Sequence, residues 1–273
     1  VFYKEDGSAD TYFIPAELPV HTFIDTQIIA ESPDEYFWAG IGDAFSKGPE
    51  VELSSREVEL LHSPLMGRAL AAGACIEPLF DNAEQALADK RAGVVSEAFE
   101  NVVLNIIITA GVVSNMTTNI GAERGAYYFN SSTAHAFYNA FTALGERGEK
   151  HLHGEVVSFG TCVLYAFDGN LKALEEQVAL NRKLGLPTTL ADLDITPESV
   201  DADLDIIVER AQKTNEWGRA PYGFTTDRFR QAILDTDAYG RAVASGEKDQ
   251  ETAALDVIAA HAPSAETAVP RKM

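Results

Sequence analysis

Cysteine, basic residues and long apolar runs are all scarce in this sequence. The 273 residues include two cysteines, Cys75 and Cys162, without Cys-x-x-Cys spacing. This excludes a disulfide-stabilised scaffold and a thiolate zinc site, and it predicts a reducing, cytoplasmic location. No stretch reaches the ~18 consecutive apolar residues of a membrane-spanning helix, and the best candidate, residues 102–113, is too short. We therefore expect no membrane association.

The charge balance is strongly acidic. Lysine and arginine number 21 against 42 aspartates and glutamates, which gives a net charge of −21. Such a surface repels phosphate backbones and anionic lipid, so nucleic-acid binding is not expected, and the acidity favours solubility. Hydrophobic residues make up 46% of the chain, enough to bury a substantial core. The length suits two domains or one large α-rich domain.

The first 30 residues carry the β signal. Residues 1–3 and 12–14 flank Asp6-Gly7 and predict a hairpin, and residues 20–24 predict a further strand. The chain begins directly in a strand pattern without a preceding methionine or cap. We therefore expect it to be part of a longer protein.

Helical patterns take over after residue 30. Ser32-Pro33-Asp34-Glu35 predicts a helix start with a capping box, and Lys47-Gly48-Pro49 predicts the end of that helix. Residues 54–87 are again helical, interrupted by prolines at positions 64 and 78. Residues 94–114 are apolar on almost every side, which predicts a central buried helix.

The later part of the chain also reads as helices. One is predicted to end at Gly185, another to begin at Thr196-Pro197, and a third to begin near Thr225 or Thr226. Residues 263–273 are small and polar and predict a flexible tail. The fold class predicted from these patterns is mainly α, with a short β segment at the N-terminus.

Asp43, His135 and His153 are the candidates for chemistry. Asp43 follows Gly40 and Gly42 in a predicted helix, and a carboxylate that is buried there needs a partner. His135 is flanked by alanines and His153 begins an apolar helix. Two imidazoles and one carboxylate form a catalytic zinc or iron pattern. The alternatives are satisfied core histidines and a helix cap or surface pair of Asp43 with Lys47.

Several segments resemble the glycerol dehydrogenase branch of the metal-dependent, iron-type alcohol dehydrogenases. They are Phe-Ile-Asp-Thr-Gln-Ile-Ile-Ala at 23–30, Ala-Gly-Ile-Gly-Asp-Ala at 39–44, Ala-His-Ala at 134–136 with Asn139 and the following Phe-Thr-Ala-Leu at 141–144, His-Gly-Glu-Val-Val-Ser-Phe-Gly at 153–160, and Leu-Pro-Thr-Thr-Leu at 186–190 with Asp192-Leu193. The similarity runs in order from about residue 1 to about residue 245. Each segment alone is only suggestive, but together they are specific.

The resemblance implies a dehydroquinate synthase-like helical metal-binding domain preceded by a nucleotide-binding α/β domain. Residues 1–30 would be the remnant of the nucleotide-binding domain, residues 31–262 the metal-binding catalytic domain and residues 263–273 the tail. The family's metal ligands fall on Asp43, His135 and His153, which are also the catalytic residues that we expect. Glu155 would support the ligands without being one. The metal would be Zn²⁺, with Fe²⁺ as the alternative, and the NAD-binding loop would lie upstream of Val1.

The function implied by the resemblance is that of an NAD-linked alcohol or polyol dehydrogenase. The expected reaction converts glycerol to dihydroxyacetone, the metal polarises the substrate hydroxyl, and His151 is a candidate proton relay. The chain alone would be inactive, and relatives predict a homo-oligomer. The bulky residues at 127–132 would reshape the pocket relative to the family. Alternatives are a cyclitol or 2-hydroxy-acid dehydrogenase, for which Arg124 and Arg219 are candidate carboxylate partners, or a non-catalytic helical binding module if the chain is complete.

Overall fold

The computed structural model describes residues 2–5, 7–10, 19–119 and 126–263, and within these ranges the protein is mainly α, as predicted. The α-helices are α1 Thr26–Glu31, α2 Asp34–Ala44, α3 Lys47–Ser55, α4 Ser63–Ala72, α5 Glu77–Arg91, α6 Glu97–Leu104, α7 Ala110–Met116, α8 Thr133–Phe141, α9 Glu146–Lys150, α10 His153–Asp168, α11 Leu171–Leu184, α12 Val200–Ala211, α13 Thr226–Ser245 and α14 Lys248–His261. The strands are β1 Phe2–Tyr3, β2 Ala9–Asp10, β3 Thr118–Asn119 and β4 Tyr127–Tyr128. They form two antiparallel pairs, β1 with β2 and β3 with β4.

The N-terminal hairpin is present, but its second strand differs from the prediction. Tyr3 pairs with Ala9, so β2 precedes the predicted strand at 12–14, which lies outside the described residues. The strand predicted at 20–24 is wrong, because this segment has no strand partner among the described residues and Phe23 is 94% exposed. Helix α1 follows it instead, and the Asp25 carboxylate caps its first turn.

The predicted helix at Asp34 begins as expected but without a capping box. The Ser32 hydroxyl donates back to the carbonyl of Ile29, and Pro33 takes the cap position of α2. Helix α2 then ends at Ala44, and Lys47-Gly48-Pro49 forms the first turn of α3 instead of ending α2. A proline is tolerated there because the first-turn N–H groups have no partner within the helix.

A buried lysine connects the end of α1 to the start of α2. The Lys90 side chain is 2% exposed, and its ammonium group donates to the carbonyls of Ala30 (3.0 Å) and Ser32 (2.5 Å) and to the Asp34 carboxylate (2.9 Å). The three acceptors match the three N–H donors of the ammonium group. Lys90 therefore fixes the entry into α2, the helix that carries Asp43.

Replacing Lys90 with methionine is expected to lower the free energy of unfolding by about 2–3 kcal/mol, because buried acceptors lose their donor. Urea unfolding measures the change. Lys172→Met is the matched control, since the Lys172 side chain is 86% exposed and only pairs with Glu176 one turn away; it should cost less than about 0.5 kcal/mol. Equal transition midpoints for the two variants would contradict the role of Lys90.

The apolar stretch at 94–114 is helical, but the prediction that it is central and buried is wrong. Helices α6 and α7 are joined through a π-helical turn, Asn105–Thr109, on which Ile107 is 41% exposed. Phe99, Val102 and Val103 enter the core beside α2 and α5, and Val113 enters a separate cluster with Val51 and Ala71. The continuous helix Glu97–Met116 spans 20 residues, and only 28% of its most apolar part is buried. By length and composition alone this helix could cross a membrane, a test that a core helix of a globular protein also passes.

The central element is α10. Twelve of its 16 residues are buried, and it packs against α2, α3, α8, α11, α13 and α14. Its apolar side chains join one core with α8, α12 and α13, while α2, α5 and α6 build a second core beside it. The two helices that carry Asp43 and His135 thus both lie against the helix that carries His153.

The remaining predictions concern helix ends. Gly185 adopts the left-handed conformation that ends α11, and the Thr225 hydroxyl caps α13, both as predicted. Helix α12 begins at Val200, after a turn at Thr196-Pro197 and not at that dipeptide itself. Both cysteines are free and buried. The predicted tail lies outside the described residues from position 264 on.

Candidate metal centre

The structure brings Asp43, His135 and His153 together. Asp43 lies in the last turn of α2, His135 in the first turn of α8, and His153 is the first residue of α10. One oxygen or nitrogen from each side chain lies within 4.8 Å of the others. The Asp43 Oδ1 atom is 3.5 Å from the Nε2 of His135 and 3.3 Å from the Nε2 of His153. All three side chains keep some exposure, so the cluster is open to solvent on one side.

Glycines allow the three helices to approach this closely. A Cβ atom added at Gly154 would lie 1.8 Å from the carbonyl oxygen of Ala39, and one added at Gly42 would lie 2.4 Å from the carbonyl oxygen of Gly154. On the other side, a Cβ atom at Gly160 would lie 2.6 Å from the carbonyl oxygen of Ala134. Helix α10 therefore contacts the backbone of both α2 and α8. These contacts set the spacing between the three candidate ligands.

Glu50 is a fourth polar residue at this cluster, and the sequence analysis missed it. It lies on α3, is fully buried, and its Oε2 atom is 2.6 Å from the Nδ1 of His135. A glutamate between Pro49 and Val51 looks like any solvent-facing residue of a helix in the sequence. Only the burial of nearly every residue of α3 distinguishes it, and that burial comes from tertiary packing.

The electrostatics of the cluster favour a cation. Partial burial opposes ionisation of Asp43, but His153 and His135 hold the pKa of its carboxyl well below the usual range. Burial opposes protonation of His135, but the Glu50 carboxylate and then Asp43 raise the pKa of its imidazole to about 9. Burial also opposes ionisation of Glu50, yet His135 and nearby N–H groups lower its pKa. Two carboxylates thus create a field that attracts positive charge.

Two tyrosines, Tyr138 and Tyr3, form an aromatic wall beside the cluster. The Tyr138 ring lies edge-on to the His153 ring with 4.1 Å between their centroids, and the His135 and His153 rings are 5.3 Å apart. The hydroxyls of Tyr138 and Tyr3 are 2.7 Å apart, so the N-terminal hairpin reaches the rim of the cluster. Burial raises the pKa of Tyr138, which keeps its hydroxyl neutral.

Other residues that the sequence suggested lie elsewhere. The Asn139 amide donates to the buried carboxylate of Glu216, 3.2 Å away. Both ring nitrogens of His151 face carboxylates, Glu155 at 2.9 Å and Asp194 at 3.2 Å. The second oxygen of Glu155 accepts the backbone N–H of Leu152. Glu155 therefore caps the turn that carries His153 without touching a candidate ligand.

Of the two suggested arginines, only Arg219 lies within the described residues, as does the segment from 127 to 132 before His135. The Arg219 guanidinium lies over the Tyr128 ring and donates to the Tyr128 carbonyl, while Arg124 lies outside the described residues. The Tyr128 hydroxyl and the Ser131 hydroxyl both contact Glu216.

The alternative pairing of Asp43 with Lys47 does not form, since the Lys47 ammonium donates to the side chain and carbonyl of Asn130.

The known proteins that this chain resembles include several dehydrogenases. No family model matches the chain. It is 32% identical over 246 residues to a glycerol dehydrogenase of Escherichia coli, covering 88% of this chain and 63% of that protein. It is 28% identical over 240 residues to hydroxycarboxylate dehydrogenase A of Escherichia coli, covering 88% of this chain and 64% of that protein. The crystal structure of glycerol dehydrogenase from Schizosaccharomyces pombe matches with a TM-score of 0.76 and 29% identity, over 90% of this chain and 61% of that chain. The chain thus spans less than two thirds of the length of these relatives.

Proposed function

Since this chain is a homologue of glycerol dehydrogenases over 88% of its length, we propose that it is the metal-binding part of an NAD-linked alcohol or polyol dehydrogenase. The favoured reaction is oxidation of glycerol to dihydroxyacetone. The observation that carries the proposal is the convergence of Asp43, His135 and His153, three residues from distant parts of the chain. An assembled cluster of this kind favours an enzyme over a helical module that only binds a partner.

The donor set fits a divalent metal. Two imidazole nitrogens and one carboxylate oxygen suit Zn²⁺ or Fe²⁺, and the partly exposed side of the cluster leaves room for a substrate oxygen. We propose Zn²⁺ as the metal, with Asp43, His135 and His153 as its ligands. The Tyr138 ring, packed against His153, limits the movement of that ligand.

The metal, when bound, supplies a Lewis acid for the substrate hydroxyl. The residues of this chain hold the metal, orient the hydroxyl next to it and shield it with the aromatic wall. The described residues form only two-stranded antiparallel sheets, whereas dinucleotides bind to parallel α/β sheets. We therefore assign no NAD-binding residue within the described ranges. The proposed location is the cytoplasm and the proposed assembly a homo-oligomer.

A 2-hydroxy acid is the second candidate substrate. The similarity to hydroxycarboxylate dehydrogenase A favours it, but a carboxylate substrate needs a cation near the metal. Arg219, the described candidate, is engaged with Tyr128. Glycerol therefore remains the first choice. Assays of the protein together with its nucleotide-binding part, with NAD⁺ and either glycerol or a 2-hydroxy acid, would decide between the two. Faster turnover of the 2-hydroxy acid would overturn the choice of glycerol.

Zinc is expected to raise the thermal stability of the metal-free protein. A ligand at about 100 times its dissociation constant adds ~2.7 kcal/mol, which corresponds to a rise in Tm of about 5 °C or more for a chain of this size. Calorimetry after chelator treatment, with and without Zn²⁺, measures the shift, and excess chelator should reverse it. Mg²⁺ is the control, because it prefers oxygen ligands. Equal Tm values with and without Zn²⁺ would contradict the proposed centre.

A further inference from the structure

Glu50 on α3 is a buried carboxylate without a lysine or arginine partner in the described part of the chain. Its side chain is fully buried, and its one ion pair in these ranges is with His135. A buried negative charge is costly unless it is hydrogen-bonded or paired. The contacts that stabilise Glu50 therefore show which part of the fold depends on this charge.

The first oxygen of Glu50 caps helix α8. Its Oε1 atom accepts the N–H of Ser132 at 2.8 Å and the N–H of His135 at 2.9 Å. These are the cap residue and the third residue of α8, and the side chain of Ser132 makes no cap hydrogen bond itself. A helix N-terminus favours negative charge there. Glu50 thus replaces the missing local cap from a different helix.

The second oxygen of Glu50 contacts the His135 ring. Its Oε2 atom lies 2.6 Å from Nδ1, on the side of the ring opposite to Nε2, which faces Asp43. A carboxylate only accepts hydrogen bonds, so Nδ1 carries the proton in this contact and the lone pair of a neutral ring lies on Nε2. One side chain therefore fixes both the backbone and the ring of His135.

We propose that Glu50 is the positioning residue of the metal centre: it holds His135 in the tautomer and orientation that present Nε2 to the metal. The inference rests on the proposed function, because it requires His135 to be a ligand. Carboxylates that accept the second N–H of a metal-binding histidine commonly contribute ~10–100-fold to metal affinity. Glu50 has the geometry of such a partner.

Glu50→Gln separates this role from capping. The glutamine carbonyl can still accept hydrogen bonds from the two backbone N–H groups. Its amide nitrogen, however, donates a hydrogen bond to Nδ1, whereas the carboxylate of Glu50 accepts one from Nδ1. The neutral ring then carries its proton on Nε2, the atom that would bind the metal. We expect the Zn²⁺ affinity of Glu50→Gln to fall ~10–100-fold. The urea unfolding midpoint of metal-free Glu50→Gln should shift no more than that of the metal-free control variant.

The control is Glu216→Gln. Glu216 is buried like Glu50 and also contacts α8, through Asn139, but it touches none of the three candidate ligands. Zn²⁺ affinity is measured by competition with a chromophoric chelator for the unmodified protein and both variants. Co²⁺ is a second probe, because its visible spectrum reports the ligand geometry directly.

Each outcome decides something. Unchanged Zn²⁺ affinity and an unchanged Co²⁺ spectrum in Glu50→Gln, with tight binding by the unmodified protein, would overturn the role of Glu50 and leave the metal centre standing. Absence of Zn²⁺ binding by the unmodified protein would overturn the proposed function and this inference with it. If Glu50→Gln does not fold, Glu50→Asp takes its place: it keeps an acceptor for Nδ1 and should bind Zn²⁺ at least ten times more tightly than Glu50→Ala. Equal affinities of these two variants would overturn the inference.

Discussion

Replacing Asp43 with asparagine is expected to lower the affinity for Zn²⁺ by more than about 100-fold, because loss of a direct ligand should exceed the 10–100-fold cost of losing a supporting residue. Asparagine has nearly the same shape, so helix α2 and its packing remain. What disappears is the negative charge that lies 3.3–3.5 Å from both imidazoles. Metal analysis of the purified protein and a chelator competition measure the effect.

Glu35→Gln is the control for the Asp43 variant. Glu35 lies on the same helix, is exposed, and its replacement changes the net charge by the same amount. It should bind Zn²⁺ as the unmodified protein does, so that a general loss of negative charge is separated from the loss of a ligand. If Asp43→Asn holds as much metal as Glu35→Gln does, Asp43 is not a metal ligand. The proposed dehydrogenase function would then lose its main support.

The sequence identified the three clustered residues because each is chemically unusual where it stands. A carboxylate that follows two glycines in a helix, and imidazoles at the starts of alanine-rich and apolar helices, are conspicuous without any knowledge of the fold. The family resemblance then placed them in one site. Their role as ligands stays a prediction, but their convergence is a geometric fact of the fold.

Glu50 shows what sequence patterns could not supply. Its partners, Ser132 and His135, are more than 80 residues away, and only the packing of α3 against the start of α8 joins them. The same limit explains the wrong prediction for residues 94–114. An apolar stretch predicts that a helix is shielded from water. Which sides of the helix a neighbouring element covers depends on the tertiary arrangement.

Two helix boundaries were predicted wrongly because of features of the nearby residues. Lys47-Gly48-Pro49 looked like the end of a helix because proline and glycine break helix interiors. The sequence contains no signal for the short turn at Phe45 and Ser46, after which the same three residues begin α3. The capping box predicted at Ser32 does not form because Pro33 takes the cap position of α2, and the Ser32 hydroxyl instead donates to the carbonyl of Ile29 in the preceding helix.

Replacing Gly154 with alanine is expected to separate α2 from α10 and to destabilise both the fold and the metal centre. The added methyl group would lie 1.8 Å from the carbonyl oxygen of Ala39 and 2.9 Å from the backbone nitrogen of Asp43. Backbone atoms cannot move aside as a flexible side chain can, so the helices must shift. Overpacking of this kind costs about 1–3 kcal/mol. The shift also displaces Asp43 from His153, which is next to Gly154 in the chain.

Gly111→Ala is the matched control because it makes the same chemical change in another helix. A Cβ atom at Gly111 would have no neighbour within 4 Å, and this glycine lies in the interior of the continuous helix Glu97–Met116. Alanine should therefore stabilise the protein there by about 0.5–1 kcal/mol through its higher helix propensity. Urea unfolding and Zn²⁺ titration of both variants test the argument. Because the three ligands are rigidly attached to three helices, a change of less than a methyl diameter between α2 and α10 should weaken zinc binding in Gly154→Ala and leave it intact in Gly111→Ala. Unaltered zinc affinity in Gly154→Ala would mean that this helix contact does not set the spacing of the ligands.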